Sequence, residues 1–369
     1  MKYYIIAGEA SGDLHASNLI RGLVAEDADA HLRFWGGDLM LEASQGRGEL
    51  VRHYREGAVM GFTDVLAKGP RLLHNLKACK QDIVGWQPDA VILVDYPGFN
   101  LRIARFAHKR GLKVFYYIAP KTWASREGRN RRLRSWVDSL FIVFPFEKEY
   151  FSARGVPYVY RGNPLVDAVD AHEFSRPVEG RYIALLPGSR KGEISRMMPV
   201  CMKAADELGC KVVIAGAPAR SLEDYDTGSR RNVELVFGRT YDVLKYADAA
   251  IVNSGTASLE TALIGTPQVV CWSTSALTMF VAEKILKVRE RISFISLGNL
   301  TIGRGAFREL IQDDFNVEAL VAEVKRLTGD EEYRARMMAD YGEIRAALGG
   351  TGASRSVAEA MVRMLNAGN

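Results

Sequence analysis

The sequence has few cysteines and no long apolar segment. Its 369 residues include four cysteines, and their spacing matches neither a CxxC pair nor a zinc site. Four thiols in a chain of this length are typical of a reduced, cytoplasmic protein. No stretch approaches 18 consecutive apolar residues, which argues against a membrane-spanning helix. The apolar run at residues 3–7 is too short for a signal peptide and is followed at once by acidic residues.

Several catalytic signatures are also missing. There is no GxxxxGK[ST] phosphate loop, no GxSxG motif, and no His, Cys and Asp set with metal-ligand spacing. The first glycine turn, residues 8–13, lacks the GxGxxG spacing of a dinucleotide site. We therefore expect no bound catalytic metal. The net charge of +5 is too small an excess to indicate nucleic-acid binding by itself.

Composition and periodicity indicate two α/β domains. Hydrophobic residues make up 48% of the chain and charged residues 25%, as in ordinary globular proteins. Short runs rich in Val, Ile, Phe and Tyr alternate with amphipathic stretches, and several runs are apolar on both faces, as in parallel sheets covered by helices. The runs in the first half are residues 3–7, 32–35, 90–94, 114–118, 140–144 and 158–160. Those in the second half are residues 182–186, 212–215, 233–236, 249–252 and 269–271.

The alternation lapses once and then restarts. Residues 167–180 contain no clean strand and end in Pro and Gly, so we expect a linker between an amino-terminal domain, residues 1–166, and a carboxy-terminal domain, residues 181–348. Each domain opens with a buried strand, a tight glycine turn and a helix start. Two facing, doubly wound Rossmann-like domains would form a ligand cleft at the carboxyl ends of their strands. The last helix, about residues 352–369, is a candidate to pack back on the first domain.

The glycine turn of the second domain suits a phosphate. Gly188 and Ser189 follow a buried strand, and Arg190 precedes a helix start. Free backbone N–H groups at a helix start attract phosphate, glycine allows close approach, and an arginine fork can hold a diphosphate. A plain strand-to-helix turn with an exposed arginine is the alternative.

A second run of small residues and hydroxyls occurs in the same domain. Residues 253–260, NSGTASLE, follow another buried strand and open a helix. Their backbone and hydroxyl groups suit a diphosphate, and Glu260 could accept hydrogen bonds from both hydroxyls of a ribose. Helix capping by Thr256 or Ser258 explains each residue singly, but explains the whole run less well. Two such turns and an acid are what a nucleoside diphosphate needs.

The first domain carries carboxylates at the equivalent places. Glu9 and Asp13 flank the first glycine turn, where they suit a sugar acceptor or a catalytic group better than a cofactor phosphate. His15 follows two residues later, either as a general base or as an ordinary histidine at the edge of the core. Asp95 ends a buried apolar run, which places it well as a base toward a hydroxyl nucleophile. Its alternative role, capping the next helix, is already filled by Asn100.

Two further segments suit surfaces. Residues 121–134 place six cations and one acid around Trp123, a pattern for nucleic acid, a phosphorylated ligand, anionic lipid or a solvated helix. Residues 59–73 mix apolar side chains with Lys68 and Arg71, which fits a membrane surface, an acyl chain or a buried helix hairpin.

Together, these motifs resemble the lipid-A-disaccharide synthase family, bacterial glycosyltransferases of the two-Rossmann-domain GT-B architecture. The resemblance covers nearly the whole chain, with the segments in the right order. The matching segments are AGEASGD at 7–13, VMGFTDVL at 59–66, VDYPGFN at 94–100, FPFEKEYF at 144–151, LLPGSR at 185–190, NSGTASLE at 253–260 and SLGNLTIGR at 296–304.

The resemblance implies an inverting glycosyltransferase of lipid A biosynthesis that uses no cofactor. Its donor is UDP-2,3-diacylglucosamine and its acceptor is 2,3-diacylglucosamine 1-phosphate, or lipid X. The products are a β-1,6-linked tetraacyl disaccharide 1-phosphate and UDP, and attack by the acceptor 6-hydroxyl needs a base. Because the ligands are acylated and anionic, we expect a cytoplasmic protein with peripheral contact to the anionic inner face of the cytoplasmic membrane. No nucleic-acid partner is expected, and homodimer formation stays open.

The resemblance also implies roles for single residues. Asp95 is the expected base. His15 is the alternative base, although the family often lacks a histidine at that position. Glu9 is a third expected catalytic residue. Arg190 would hold the diphosphate and Glu260 the ribose. The other expected substrate-binding residues are Gly8, Ser11, Gly12, Asp13, Gly188, Ser189, Ser254, Gly255, Thr256, Ala257, Asn299 and Arg304.

The sequence departs from the commonest family pattern near Trp123. Lys121 and Thr122 stand where smaller residues are usual, and Ser125 stands where a second tryptophan is often seen. These changes concern acyl-chain or acceptor detail rather than the UDP site.

Three other functions fit parts of the pattern. A UDP-N-acetylglucosamine 2-epimerase on the same scaffold would need no acylated acceptor, and a non-catalytic nucleotide-sugar binding protein would show no turnover. An RNA-binding module would rest on residues 126–134 and would bind in a salt-dependent way. UDP release that requires lipid X separates the transferase from the epimerase, and full turnover in Asp95→Asn would remove Asp95 as the base.

Overall fold

The structure is a computed structural model that describes residues 1–57, 69–218, 220–228, 230–274 and 293–367. The chain divides into two units. The first comprises Met1–Asp167 and Gly349–Asn369, and the second comprises Ala168–Leu348. Each unit contains a parallel sheet accompanied by helices, so the α/β fold class expected from the alternating pattern is confirmed.

The first unit is built on a seven-stranded parallel sheet. Its strands are β1 (Lys2–Ala7), β2 (His31–Gly36), β3 (Gly48–His53), β4 (Ala90–Val94), β5 (Lys113–Tyr117), β6 (Ser139–Ile142) and β7 (Tyr158–Tyr160). Their order across the sheet is β3-β2-β1-β4-β5-β6-β7. The central strands β1 and β4 are almost wholly buried, because apolar side chains on both faces are covered.

Helices connect these strands. They are α1 (Ala10–Glu26), α2 (Asp38–Ala43), α3 (Tyr54–Gly57), α4 (Gly69–Trp86), α5 (Pro97–His108), α6 (Arg129–Trp136), α7 (Phe146–Ser152) and α8 (Pro164–Asp170). Helix α5 begins at Pro97, a favoured first position because proline has no N–H to leave unpaired. The expectation that Asn100 caps this helix is therefore wrong.

The second unit repeats the pattern with six described strands. They are β8 (Ile183–Leu186), β9 (Val212–Gly216), β10 (Val233–Phe237), β11 (Ala249–Asn253), β12 (Gln268–Trp272) and β13 (Glu309–Ile311), in the order β10-β9-β8-β11-β12-β13. The helices of this unit are α9 (Lys191–Leu208), α10 (Thr240–Lys245), α11 (Thr256–Ile264), α12 (Leu297–Ile302), α13 (Val317–Gly329) and α14 (Glu331–Leu348).

The segment expected as a linker begins inside a helix. Helix α8 continues to Asp170, and the division between the units falls within it. The residues that follow are tied to α10, since the Asp242 carboxylate accepts hydrogen bonds from the backbone N–H of Ser175 at 2.9 Å and contacts His172 Nε2 at 3.1 Å. Residues 172–175 are thus fixed to the second unit.

The last helix, α15 (Ala353–Asn366), belongs to the first unit and packs on α1. A Cβ atom on Gly22 of α1 would lie 2.8 Å from the Cβ of Ala358, so glycine allows the two backbones to approach closely. Arg355 of α15 forms a salt bridge with Glu26 at 2.8 Å. The first unit is therefore assembled from both ends of the chain.

Within the described ranges, no helix is both long and apolar enough to cross a membrane. The motif at residues 59–66, together with much of the segment expected at a surface, lies outside the described residues.

Candidate active site

One group of candidate residues, here called the first half-site, belongs to the first unit. It lies where the strand order of the first sheet reverses. Strand β1 pairs with β2 on one side and with β4 on the other. The turns that follow β1 and β4 therefore leave the sheet side by side, at the carboxyl ends of its strands, and lead away from each other. Gly8 and Glu9 follow β1, and Asp95 and Tyr96 follow β4. A Cβ atom on Gly8 would lie 2.4 Å from the Tyr96 ring, so the two turns are in direct contact.

The backbone at Asp95 is strained and firmly held. Asp95 and Tyr96 have φ angles of +43° and +47°, a left-handed conformation that costs a non-glycine residue about 1–3 kcal/mol. The Asp95 carbonyl accepts hydrogen bonds from Asn100 Nδ2 at 2.8 Å and from the Tyr116 hydroxyl at 2.6 Å. Asn100 also donates to the Val94 carbonyl at 3.1 Å. These bonds position the Asp95 side chain at the end of β4.

The Asp95 carboxyl has an environment suited to proton transfer. Burial raises its pKa to about 6, the positive charge of Lys121 opposes that rise, and the negative charge of Glu9 adds to it. A base is most effective when its pKa is near the working pH, because it is then both deprotonated and basic enough to take a proton. The first half-site therefore has a suitable base.

His15 is a weaker candidate for the base. Helix α1 begins at Ala10, so His15 lies in its second turn, where the side chain is buried. Burial lowers the pKa of the imidazole to about 4, and its Nδ1 atom has no hydrogen-bond partner among the residues that the structure describes. Because an imidazole with such a low pKa is a weak base, the pKa values favour Asp95.

Asp13 has a structural role. Its buried carboxylate accepts hydrogen bonds from the backbone N–H groups of Gly37 at 2.8 Å, Leu39 at 3.3 Å and Met40 at 3.2 Å, which satisfies the start of α2. Among its neighbours in the turn, Gly12 is buried where a Cβ would lie 3.3 Å from that of Ala7, and Ser11 is exposed. Asp13 is thus committed to the backbone rather than presented to an acceptor.

The second half-site has the same place in the second sheet. Strands β8 and β11 are neighbours at the reversal of strand order, and their following turns carry Gly188 and Ser254. Gly188 has a φ of +112°, and a Cβ there would lie 2.7 Å from Glu193 Oε2 and 2.8 Å from Asn253 Nδ2. Only glycine fits this turn, and it brings the backbone close to the end of β11 and to the first turn of α9.

Arg190 extends from the turn into solvent. Its side chain is 60% exposed, and its guanidinium lies 3.0 Å from the Glu193 carboxylate one turn into α9. Ser189 beside it is also exposed. An exposed ion pair of this kind contributes about 0–1 kcal/mol, so an incoming diphosphate can compete with Glu193 for the guanidinium.

Helix α11 offers backbone N–H donors at its start and, further along, a carboxylate that accepts a hydrogen bond from a tyrosine. Because the helix begins at Thr256, the first-turn N–H groups, including that of Ala257, have no acceptor within the helix. Gly255 precedes them, and Ser254 Oγ donates to the Ile295 carbonyl at 3.3 Å. Further along α11, Glu260 accepts a hydrogen bond from the Tyr241 hydroxyl at 2.8 Å, and burial raises the pKa of its carboxyl.

Comparison with known proteins identifies the family. The family model described as lipid-A-disaccharide synthetase matches residues 3–361. A lipid-A-disaccharide synthase of Myxococcus xanthus is 38% identical over 99% of this chain and 97% of the relative. Another, of Syntrophus aciditrophicus, is 37% identical over 96% of this chain and 95% of the relative. The chain belongs to the lipid-A-disaccharide synthase family. It is accordingly a glycosyltransferase.

Solved structures show how the fold of this family member relates to others. An S. aureus MnaA–UDP structure aligns with a TM-score of 0.71 at 15% identity, covering 99% of this chain and 97% of the other. The UDP-GlcNAc 2-epimerase of Methanocaldococcus jannaschii gives 0.66 at 15% identity with full coverage of both chains. The glycotransferase of kitacinnamycin gives 0.64 at 16% identity, covering 99% of each. At these identities the likeness shows the GT-B fold alone, so it does not favour an epimerase.

Two residues that resemblance to the synthase family places near the nucleotide bind other groups of the protein. Asn299 is fully buried: its Nδ2 donates to the Phe307 carbonyl at 3.0 Å, and its Oδ1 accepts from the N–H of Ala306 at 2.8 Å. Arg304 is paired with Asp340 at 2.6 Å and with Glu343 at 2.8 Å. Asn299 therefore stabilises the segment after α12, and Arg304 ties that segment to α14.

Sequence reasoning missed several residues that shape the half-sites. Asn100, which was expected only as a helix cap, and Tyr116 hold the Asp95 backbone, and Tyr241 holds Glu260. The basic run of residues 121–134 is evident in the sequence, but nothing in it indicates that Lys121 and Arg129 act on the pKa of Asp95. These contacts join separate strands and helices, so no local motif marks them.

Among the described residues, no group of three or more His, Cys, Asp or Glu side chains is arranged to hold a metal ion. Positive charge in the two half-sites comes from arginine and lysine side chains and from helix starts.

Proposed function

We propose that this chain joins UDP-2,3-diacylglucosamine to lipid X, forming the β-1,6-linked tetraacyl disaccharide 1-phosphate and UDP. Membership of the lipid-A-disaccharide synthase family over residues 3–361 carries the proposal. The environment of Asp95, a half-buried carboxyl whose pKa is raised to about 6 at the end of a central strand, supports it chemically.

Asp95 is the proposed general base. Its carboxylate takes the proton of the acceptor 6-hydroxyl while that oxygen attacks the anomeric carbon of the donor. The bond from the anomeric carbon to the diphosphate oxygen breaks, and its electron pair leaves with UDP. Attack from the side opposite the leaving group converts the α-linked donor into a β-linked product. General-base catalysis of this kind contributes about 10²–10⁴-fold to a rate.

The second half-site is proposed to bind UDP. Arg190 and the first-turn N–H groups of α9 and α11 offset the negative charge on the departing diphosphate. Glu260, oriented by Tyr241, accepts hydrogen bonds from the ribose hydroxyls. Ser189, Ser254 and the backbone of residues 255–257 complete the proposed diphosphate site.

A peripheral contact with the cytoplasmic membrane surface is part of the proposal. Both ligands carry acyl chains and negative charge, so they reside in or near an anionic membrane. Sedimentation with vesicles containing phosphatidylglycerol is expected to remove the protein from solution at low ionic strength. Full recovery in the supernatant would contradict this part of the proposal.

A turnover assay tests the reaction. The protein is incubated with UDP-2,3-diacylglucosamine and lipid X in mixed micelles containing a metal chelator, and UDP and the disaccharide are measured by mass spectrometry. UDP release is expected only when lipid X is present. An epimerised sugar nucleotide formed without lipid X, or the absence of any turnover, would reject the proposal.

A further inference from the structure

The first unit contains a cavity of about 720 Å³ between α5 and α6. Six arginines line it: Arg102, Arg105, Arg126, Arg129, Arg131 and Arg132. Among the residues that the structure describes, none of the six lies in an ion pair with a carboxylate, and the lining includes no acidic residue. The nearby acid Glu127 is bonded to Arg154 at 2.6 Å, outside the cavity lining. The cavity is therefore strongly positive and lacks a counter-charge from these residues.

Two helix starts add to the positive potential. Pro97 and Gly98 at the beginning of α5, and Gly128 and Arg129 at the beginning of α6, all belong to the lining. Helix amino termini carry partial positive charge, which attracts anions. The crowding of cations is also reflected in one side chain: burial, and then the charges of Arg126 and Arg132, lower the pKa of the Arg129 guanidinium. A bound anion would offset this concentration of positive charge.

The cavity also has an apolar wall. Leu101 and Trp136 line it, and the Arg105 guanidinium lies 5.7 Å from the centre of the Trp136 ring. An anion attached to a sugar or lipid can therefore contact apolar surface while its charge meets the guanidinium groups. Nucleic acid would more usually need a longer basic track with several exposed aromatic rings.

The cavity adjoins the proposed base. Its first lining residue, Pro97, lies two positions after Asp95, and Arg129 belongs to the lining while its charge acts on the pKa of Asp95. In lipid X, the reacting 6-hydroxyl and the anomeric phosphate are attached to the same sugar ring. Such an acceptor therefore needs a phosphate site close to the base.

We propose that this arginine cavity binds the anomeric phosphate of the acceptor and so positions its 6-hydroxyl at Asp95. The inference rests on the proposed function, because it assigns a ligand group to the acceptor side of the same site. The shared chemistry is a phosphate ester on an amphiphile. A membrane phospholipid headgroup offers the same group, and the experiment separates the two sources.

The test replaces two cavity arginines and leaves Arg129, whose charge acts on Asp95, unchanged. The double variant R105Q/R132Q is compared with R134Q, which removes an exposed arginine of the same helix from outside the cavity lining. Each is assayed with lipid X and with 2,3-diacylglucosamine, which lacks the phosphate. We expect the double variant to raise the KM for lipid X about 10–100-fold, as expected for lost charge-assisted hydrogen bonds, and to leave the donor KM unchanged.

Loss of discrimination is the decisive result. The wild-type protein and R134Q are expected to prefer lipid X over the phosphate-free acceptor by at least about tenfold, and R105Q/R132Q to use both about equally. An unchanged preference in the double variant would overturn the inference. If the double variant does not fold, as judged by thermal unfolding, the single variant R105Q is measured in the same way, and an unchanged preference has the same meaning.

Two further measurements separate the alternatives. If R105Q/R132Q loses binding to vesicles of phosphatidylethanolamine and phosphatidylglycerol but keeps its acceptor preference, the cavity is a phospholipid site and the inference fails. Equilibrium binding of lipid X in mixed micelles requires no turnover. If the protein has no transferase activity but binds lipid X in a cavity-dependent way, the proposed function fails while the phosphate site stands.

Discussion

The Asn100 side-chain amide donates a hydrogen bond to the main-chain carbonyl of Asp95 at 2.8 Å. Asn100 is fully buried, and the same nitrogen reaches the carbonyls of Val94 at 3.1 Å and Ile6 at 3.4 Å. One amide therefore connects the carboxyl ends of β1 and β4, the two strands between which the proposed base lies.

Asn100→Ala is expected to weaken both the fold and catalysis. The substitution leaves buried carbonyl groups without a donor, which costs about 2–4 kcal/mol of unfolding free energy. Because the strained turn at Asp95 loses a support, kcat is expected to fall about tenfold or more, with little change in donor KM. Asn232→Ala in the second unit, which removes a bond to the Cys210 carbonyl, serves as control. Equal losses of kcat in both variants would exclude a positioning role for Asn100.

Asp95→Asn is expected to lower activity and raise stability. Loss of the base should reduce kcat about 10²–10⁴-fold. The folded-state pKa of about 6 lies above the usual 3.8, so burying the ionised carboxyl destabilises the protein at neutral pH. An amide removes that cost, and the unfolding free energy at pH 7 is expected to rise by about 1–3 kcal/mol. Steady-state kinetics and denaturant titration measure the two effects. Full turnover in the variant would eliminate Asp95 as the base.

The pH dependence should follow the same carboxyl. The folded protein binds the Asp95 proton more tightly than the unfolded chain, so this group lowers stability as pH rises from about 4 to about 6. Activity has the opposite dependence, because the base must be ionised, and kcat/KM should rise with an apparent pKa near 6. Glu147 is a second acid whose pKa burial raises into this range, to about 7. Glu147→Gln should leave the limb near pH 6 in place, and its disappearance in that variant would contradict the assignment.

Gly8→Ala is expected to disrupt the first half-site. The added Cβ would lie 2.4 Å from the Tyr96 ring, so the turns after β1 and β4 would have to separate. We expect a loss of about 1–3 kcal/mol in stability, as for overpacking, and a fall in kcat of at least tenfold. Gly342→Ala is the matched control, because a Cβ there meets nothing within 4 Å on helix α14 and alanine favours a helix. A fully active Gly8→Ala variant would show that this contact is unimportant.

Tyr241→Phe tests the proposed ribose site. Removing the hydroxyl deletes its hydrogen bond to Glu260, so the carboxylate is less well oriented. We expect the donor KM to rise about 3–10-fold and the acceptor KM to stay unchanged. The effect should vanish with a 2′,3′-dideoxyribose donor, which has no hydroxyls for Glu260. Tyr246→Phe, at the end of the same helix, is the control. A Tyr241 effect that persists with the dideoxy donor would argue against ribose recognition.

How far the sequence predicts the fold depends on burial. Strand β4 was predicted with its observed ends, because it is a continuous apolar run covered on both faces. The sequence does not predict strand β3, which lies at the edge of the first sheet, is only half-buried and has polar residues on either side of Leu50 and Val51. Strand β13, at the edge of the second sheet, is also not predicted, because three residues are too few to show a periodic pattern. An edge position alone does not prevent prediction, since residues 158–160 are expected as a strand and form the edge strand β7.

The sequence predicts those site residues that can be recognised from their neighbours along the chain. The glycine turns and the carboxyl after β4 stand out because strand ends and helix starts have recognisable residues. Asp13 and Asn299 were expected at the ligands, yet their partners lie at residues 37–40 and 306–309 and use up their polar atoms. Whether a polar side chain faces a ligand or the backbone depends on such distant partners, and a motif does not specify them.

The placement of α15 in the first unit has a consequence for synthesis. The strands of that unit leave the ribosome before the second unit does, but the helix that packs on α1 is translated after the whole second unit. During synthesis, the face of α1 that packs on α15 therefore stays uncovered until residues 353–366 have left the ribosome. A chain truncated before Ala353 would contain every described strand of the first unit and lack the helix that covers α1.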